Sequence, residues 1–299
     1  MSRTKEKKNI TEELGNGRIL PLIARLSIPA VIAQLITFLY NIVDRMYVAQ
    51  IEYSGMDALA ALGIVLPITL IIQAFANLIG LGGAPRAGIK MGEGNNAEAG
   101  DIFNTAFSLL VLIGVVIGAV SFVFARQIVL LFGCPPSTVE FAVSYLKIYA
   151  CGTLFVMLAQ GLNPFILTQG YSLVAMGSVL LGAVINIALD PIFIFALGMG
   201  VSGSSLATVI SQLCSCICVM CFFLTRKSLF HLRPSAMCPR LRYIGAILSL
   251  GFTPFVMTIT ECAIQVVFNV CLNRATGGDR DYTAALTVML SALQLISLP

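Results

Sequence analysis

Residues 58–82 read ALAALGIVLPITLIIQAFANLIGLG, 25 positions without a charged side chain. As an α-helix rising 1.5 Å per residue, such a stretch is about 37 Å long, enough to cross a hydrocarbon layer of about 30 Å. Its only polar side chains are Thr69, Gln73 and Asn77. Working outward, similar runs lie at Leu26 to Ala49, Ile102 to Ala125, Phe141 to Thr168, Leu173 to Leu197, Val201 to Thr225 and Tyr243 to Leu272, and another begins near Thr283. The whole chain agrees: 58% of its residues are apolar, 11% are charged, and the mean hydropathy is +0.94. A soluble domain of this length needs a charged exterior, so the sequence predicts an all-α protein that crosses the membrane repeatedly, with the lipid bilayer as its surroundings.

The charged residues cluster between these runs, and their distribution sets an expected orientation. Six Lys and Arg precede the first span, two follow the second and five follow the sixth, thirteen on one side against five on the other. Short basic loops stay in the cytoplasm, which places the N-terminus there in the plasma (inner) membrane. The basic residues then serve topology and anionic lipid contact, and no nucleic-acid partner is expected. The first 25 residues are too polar and charged for a cleavable signal sequence. Seven of the nine cysteines fall inside apolar runs, and Cys134 and Cys238 fall near loops on opposite sides. The sequence therefore predicts neither a disulfide framework nor a structural metal site.

Laying the seventh span on the first exposes a weak internal repeat. A shift of 225 places Pro254 on Pro29 and Asn269 on Asp44; after a slip of one, Asp281 falls on Asp57, Ala284 on Ala60, Ala285 on Ala61 and Leu286 on Leu62. Six spans separate the copies, so both begin on the same side, as in transporters whose two halves rock about a central site. The expected organisation is a basic tail (1–25), a lobe of helices 1–6 (26–225), a basic inter-lobe loop (226–242) and the start of a second lobe, helix 7 and part of helix 8 (243–299). A complete second copy would bring the protein to about 450 residues, and Pro299 would then end the chain inside a span.

Three carboxylates lie within spans, Asp44, Asp190 and Glu261. An ionised acid at the bilayer centre costs roughly 3 kcal/mol, so such residues point to an interior site. In the segment Asn186-Ile-Ala-Leu-Asp190-Pro191, Asn186 and Asp190 stand four apart on one helix face. Pro191 removes a backbone donor and loosens the carbonyl of Ile187. The acid, the amide and that carbonyl together would make an oxygen-rich pocket for a proton or Na⁺. No active-site serine, metal-ligand or phosphate-loop motif is present, so no catalytic residues, no cofactor and no enzyme activity are expected.

The segments Leu26-Ser-Ile-Pro29 to Asp44, Leu62 to Glu93 with Gly80-Leu-Gly-Gly-Ala-Pro85, and Asn186 to Ile194 resemble the first, second and fifth helices of multidrug and toxic compound extrusion (MATE) transporters, particularly the DNA-damage-inducible-F-like branch. The resemblance implies the six-helix N-terminal lobe of a twelve-helix, two-lobe transporter with parallel repeats, followed by the opening of the C-terminal lobe. It implies a cation-coupling site at Asp44, Asn186, Asp190 and Thr208, with Asn163 lining the same cavity and a helix bend at Pro29. Glu261 is a further candidate for the cavity lining. The loop Leu167-Thr168-Gln169-Gly170-Tyr171 departs from the family pattern, which places an Arg and a Gly-Asp pair there.

The implied activity is secondary active multidrug efflux: amphipathic, often cationic, drugs or toxic metabolites leave in exchange for H⁺ or Na⁺, through a protein that is a monomer when full length. Ion and cargo would compete for one chamber faced by the first- and fifth-helix acids. Two other readings stay open: a flippase of lipid-linked oligosaccharide on a related fold, which favours basic residues in the chamber, and a truncated product without function.

Overall fold

The computed structural model describes residues 19–51, 55–225, 228–232 and 241–296. The basic tail before residue 19 and most of the 226–242 loop lie outside the described residues. Helix α1 spans Ile19–Ala49, α2 Gly55–Gly92, α3 Asn96–Val123, α4 Ala125–Leu131, α5 Val139–Thr168, α6 Ser172–Pro191, α7 Val201–Leu224, α8 Leu241–Thr276 and α9 Arg280–Ile296. Among the described residues there is no strand. Seven helical segments are long and apolar enough to cross a membrane, and the protein is read as multi-pass.

The predicted spans and the helices coincide with three instructive differences. The second span was expected to end at Gly82, yet α2 runs to Gly92 through Gly80-Leu-Gly-Gly-Ala-Pro85. Glycine and proline are tolerated in such helices because neighbouring helices re-satisfy the backbone. The third apolar run divides at Phe124 (φ −100°, ψ 19°) into α3 and the short α4. The third difference follows Pro191. The chain there widens into a π turn, Ile192–Ala196, closed by the Leu197 N–H donating to the Ile192 carbonyl at 2.9 Å. Such turns inside helices are frequent at functional sites. Helix α1, in contrast, is assigned without interruption through Pro29.

Helix α2 is the centre of the assembly. It packs on α8, α5, α3 and α9, whereas α1 packs chiefly on α6. The most apolar stretch of α2 is 72% buried and that of α1 6%, so α2 is the core helix and α1 a wall. The cause lies in the small residues of α2, including Ala60, Ala61, Gly63, Ala74, Ala76, Gly80 and Gly82, all buried. Without a hydrophobic drive between helices in lipid, close backbone approach is what holds them together. A Cβ on Gly80 would stand 2.6 Å from the Gly161 carbonyl oxygen of α5, and one on Gly82 2.9 Å from the Gly251 nitrogen of α8.

Helix α3 shows how the outer surface is made. Ile102, Phe103, Ala106, Leu109 and Leu110 are buried, while Leu112, Val115, Val116, Val120 and Val123 are exposed at helical spacing. The bundle is thus apolar on its outside as well as its inside, as a lipid-facing surface requires.

The ends of the helices that meet at the N-terminal side of α1 enclose an aromatic cluster. Phe230, from the 228–232 segment after α7, is 1% exposed and stacks on Phe103 with ring centroids 5.5 Å apart. Phe103 also meets Phe165 at 5.4 Å and Phe223 at 4.6 Å. The segment is pinned by Gln169, whose Oε1 accepts from the Leu229 N–H at 2.7 Å and from Ser228 Oγ at 3.1 Å. Gln169 belongs to the loop after span four that departs from the family pattern.

Candidate functional site

Asp44, Asn186, Asp190 and Thr208 come together between α1, α6 and α7. Asp44 stands about one turn before the end of α1, and its Oδ1 accepts a hydrogen bond from Ser204 Oγ at 2.7 Å. Asp190 is the penultimate residue of α6, just before the π turn, and is fully buried, with Asn186 1% exposed beside it. Asn186 Nδ2 reaches Asp190 Oδ1 and Thr208 Oγ1, each at 3.4 Å. The carboxyl groups of Asp44 and Asp190 interact electrostatically.

Two buried oxygens, Asn186 Oδ1 and Asp190 Oδ2, have no hydrogen-bond partner. A buried acceptor left unpaired costs about 1–3 kcal/mol. Two such atoms on adjacent side chains, next to a second carboxyl group, form an environment that a proton or a hard cation would relieve.

Tyr40, Tyr145 and Arg45 complete the surroundings. The two tyrosines interact electrostatically with both acids, and Tyr145 also reaches Thr208. Arg45 is the counter-charge to Asp44, and its Nη1 is buried without a hydrogen-bond partner. Sequence reasoning did not single out Ser204, Tyr40 or Tyr145, although two of them carried a signal. Ser204 precedes Thr208 by four residues and Tyr40 precedes Asp44 by four, so each shares a helix face with a residue that was identified.

Toward the N-terminal side of α1, next to the acid pair, lies a cavity of about 360 Å³ between α1, α2, α5, α6 and α7. Asn163 lines it, with its Nδ2 donating to the Ala175 carbonyl at 3.2 Å and Ser178 Oγ at 3.1 Å. Neither Asp44 nor Asp190 is among its lining residues, whereas Tyr40 both lines it and interacts with the two acids. Tyr40 thus links the cavity to the acid pair. Glu261 is exposed on α8 and does not line the cavity. Pro29 is buried in α1 a residue before Ala30, which does line it.

Residues 29–192 match the family described as MatE. The multidrug export protein MepA of Staphylococcus saprophyticus is 27% identical over 248 residues, covering 82% of this chain and 54% of that protein. MepA of Staphylococcus haemolyticus is 26% identical over 246 residues with the same coverage, so the chain spans about half the length of the curated relatives it matches. The solved structure of the MATE multidrug transporter DinF-BH aligns with a TM-score of 0.88 at 30% identity, over 95% of this chain and 63% of that one. An inward-facing MATE family transporter of the MOP superfamily shares the fold at a TM-score of 0.80 and 24% identity, over 93% and 63% of the two chains.

Proposed function

This chain belongs to the MatE family, and from that premise we propose that it forms the ion-coupling lobe of a secondary active exporter of amphipathic small molecules. Residues 26–225 act as the N-terminal lobe, and 243–299 open the second lobe. Asp44, Asn186, Asp190 and Thr208 hold the coupling ion, H⁺ or Na⁺, and the neighbouring cavity receives the cargo. The protein is not an enzyme. It sits in the plasma membrane with its N-terminus in the cytoplasm and works as a monomer.

The observation that carries this reading is the pair of unpartnered buried oxygens, Asn186 Oδ1 and Asp190 Oδ2, beside the Asp44 carboxyl group. A fully buried Asp190 beside a second carboxyl group is held at lower cost with a proton or cation bound between them. Ion binding and cargo binding then communicate through Tyr40, which lines the cavity and interacts with both acids. Binding of one ligand shifts the population toward the state that the other disfavours. A flippase of pyrophosphate-linked sugars would want basic side chains in the chamber, and the cavity lining holds none.

The test is export of a fluorescent amphipathic dye from vesicles carrying the protein, under imposed proton or Na⁺ gradients, compared with Asp44→Asn and Asp190→Asn. Each substitution is expected to reduce gradient-driven export at least tenfold. Undiminished export in both variants would overturn the assignment.

A further inference from the structure

The outer faces of α3 and α5 form a groove of about 390 Å³ that neither the ion site nor the central cavity uses. Gly114 and Gly118 are buried and make its floor on α3. They let α5 come close: a Cβ on Gly118 would stand 2.9 Å from the Ala150 carbonyl oxygen, and one on Gly114 3.4 Å from the Leu154 Cα. Val115, Phe122 and Val123, all exposed, rise beside that floor, and Cys151 is exposed on the α5 side. The second lobe begins with α8 packed on α2, while the groove lies among the lipid-facing side chains of α3.

Lys147 stands at one end of the groove. It precedes Cys151 by four residues and Leu154 by seven, so the three share one face of α5. Gly114 meets Leu154 and Gly118 meets Ala150, so the two helices run antiparallel and the next turn brings Lys147 level with Phe122, at the end of α3. Lys147 is exposed, about 12 Å along α5 from Val139. A helical side chain leans toward the N-terminus of its helix, which carries this ammonium group toward the level of the lipid headgroups. Glu140, the only acid of α5, is taken by Arg126 at 2.8 Å.

These features fit a phospholipid. Between apolar surfaces in a bilayer there is no hydrophobic drive, so close packing is what retains a chain in a groove. A cation at the end of that groove adds a charge-assisted contact to a phosphate, for which Lys is a common partner. A second copy of the chain fits worse, because a two-fold contact along this face would bring two Lys147 ammonium groups together. We infer that the α3–α5 groove binds an anionic glycerophospholipid, with an acyl chain along Gly114, Gly118 and Cys151 and its phosphate on Lys147.

The experiment is photolabelling of the protein in nanodiscs of dioleoyl phosphatidylcholine that carry a trace of phospholipid with a diazirine on one acyl chain. The probe has either a phosphatidylglycerol or a phosphatidylcholine headgroup, and labelled residues are mapped by tandem mass spectrometry. On residues 114–123 and 150–154 the glycerol probe is expected to label about fivefold more than the choline probe, the preference one lysine beside an anionic lipid supports. Lys147→Gln is expected to abolish that excess and leave labelling of the other lipid-facing surfaces unchanged, whereas Lys147→Arg keeps it. Cys151→Phe, which fills the groove, is expected to remove labelling of Gly114 and Gly118 by both probes. Equal labelling of the unaltered protein, an excess that survives Lys147→Gln, or floor labelling that survives Cys151→Phe overturns the inference. So does an unlabelled groove whose Cys151 is captured by copper phenanthroline in a disulfide-linked dimer, which would give this face to a second copy.

Discussion

Ser204 and Asp44 stand 160 positions apart in the sequence and are joined only by the fold: Ser204 belongs to α7 and gives its hydroxyl to Asp44 of α1 at 2.7 Å. Ser204→Ala is expected to lower the apparent affinity for the coupling ion roughly tenfold, while Ser204→Thr retains it, because a hydrogen bond of this kind is worth about 1–2 kcal/mol. Titration of ion-driven dye export in the two variants checks this. At the edge of the bundle, Cys134 lies in the turn after α4 with 5% exposure. Burial pushes its thiol up to about 11, partly countered by the contact with Thr138 Oγ1. The thiolate is the reactive form, and at pH 8 it is a minor species. Cys134 is therefore expected to resist maleimide at pH 8 in the folded protein and to react on unfolding, as read by mass spectrometry.

Among the elements, α2 and the 228–232 segment carry the clearest consequences. Helix α2 meets α8 through Gly82 and Gly251, where backbone lies against backbone. Gly82→Leu must push α8 away, at a cost of about 1–3 kcal/mol or more from overpacking. A fall in the thermal midpoint of the solubilised protein is expected, larger than for leucine at Gly92, where an added side chain meets open space. The 228–232 segment is a strap laid across the ends of α3, α5 and α7, held by Phe230 among the phenylalanines and by Gln169. Phe230→Ala removes a fully enclosed ring, for which about 3–5 kcal/mol is usual in a core. Faster hydrogen exchange confined to the strap and the adjoining helix ends would report its release.

Across the whole molecule, the sequence repeat has a physical counterpart. Ala60 and Ala284, equivalent positions in the two copies, meet in one small buried cluster with Leu59. Equivalent residues touch each other only near the axis that relates the copies. Asp57 and Asp281 likewise both sit in the first turn of their helices, α2 and α9. The two copies are also tied by the ion pair between Arg280 and Asp57, whose other oxygen is buried without a partner. A double-mutant cycle of Arg280→Ala and Asp57→Asn is expected to give a coupling of about 1 kcal/mol in thermal unfolding. For transport as a whole, one charge moving through about 100 mV gains about 2.3 kcal/mol. If one ion is exchanged for one cargo molecule, that gain acts fully on a neutral cargo and cancels for a monovalent cation. Export in vesicles with and without a potassium-diffusion potential, at a fixed ion gradient, should show voltage sensitivity for a neutral substrate alone; equal sensitivity for neutral and cationic substrates counts against one-for-one exchange.

Residues 58–82 and the other apolar runs settled the fold class unaided, because in lipid every backbone group must be satisfied within its own helix, and only length and apolarity decide that. Asp44 and Asp190 drew notice for a related reason, that acids are costly in an apolar run; Asn186 drew notice by its spacing to Asp190, and Thr208 only through the family resemblance. Their grouping came only from the resemblance and not from the residues, since contacts between α1, α6 and α7 depend on helix packing set by small residues far away in sequence. Ser204, an ordinary serine by its neighbours, became a partner of Asp44 only there. The same holds for Gln34, Gln73, Asn77, Gln160 and Gln212, each ordinary when taken alone. Only the packing of four helices gathers their amides around one cavity, which Tyr40 links to the acids.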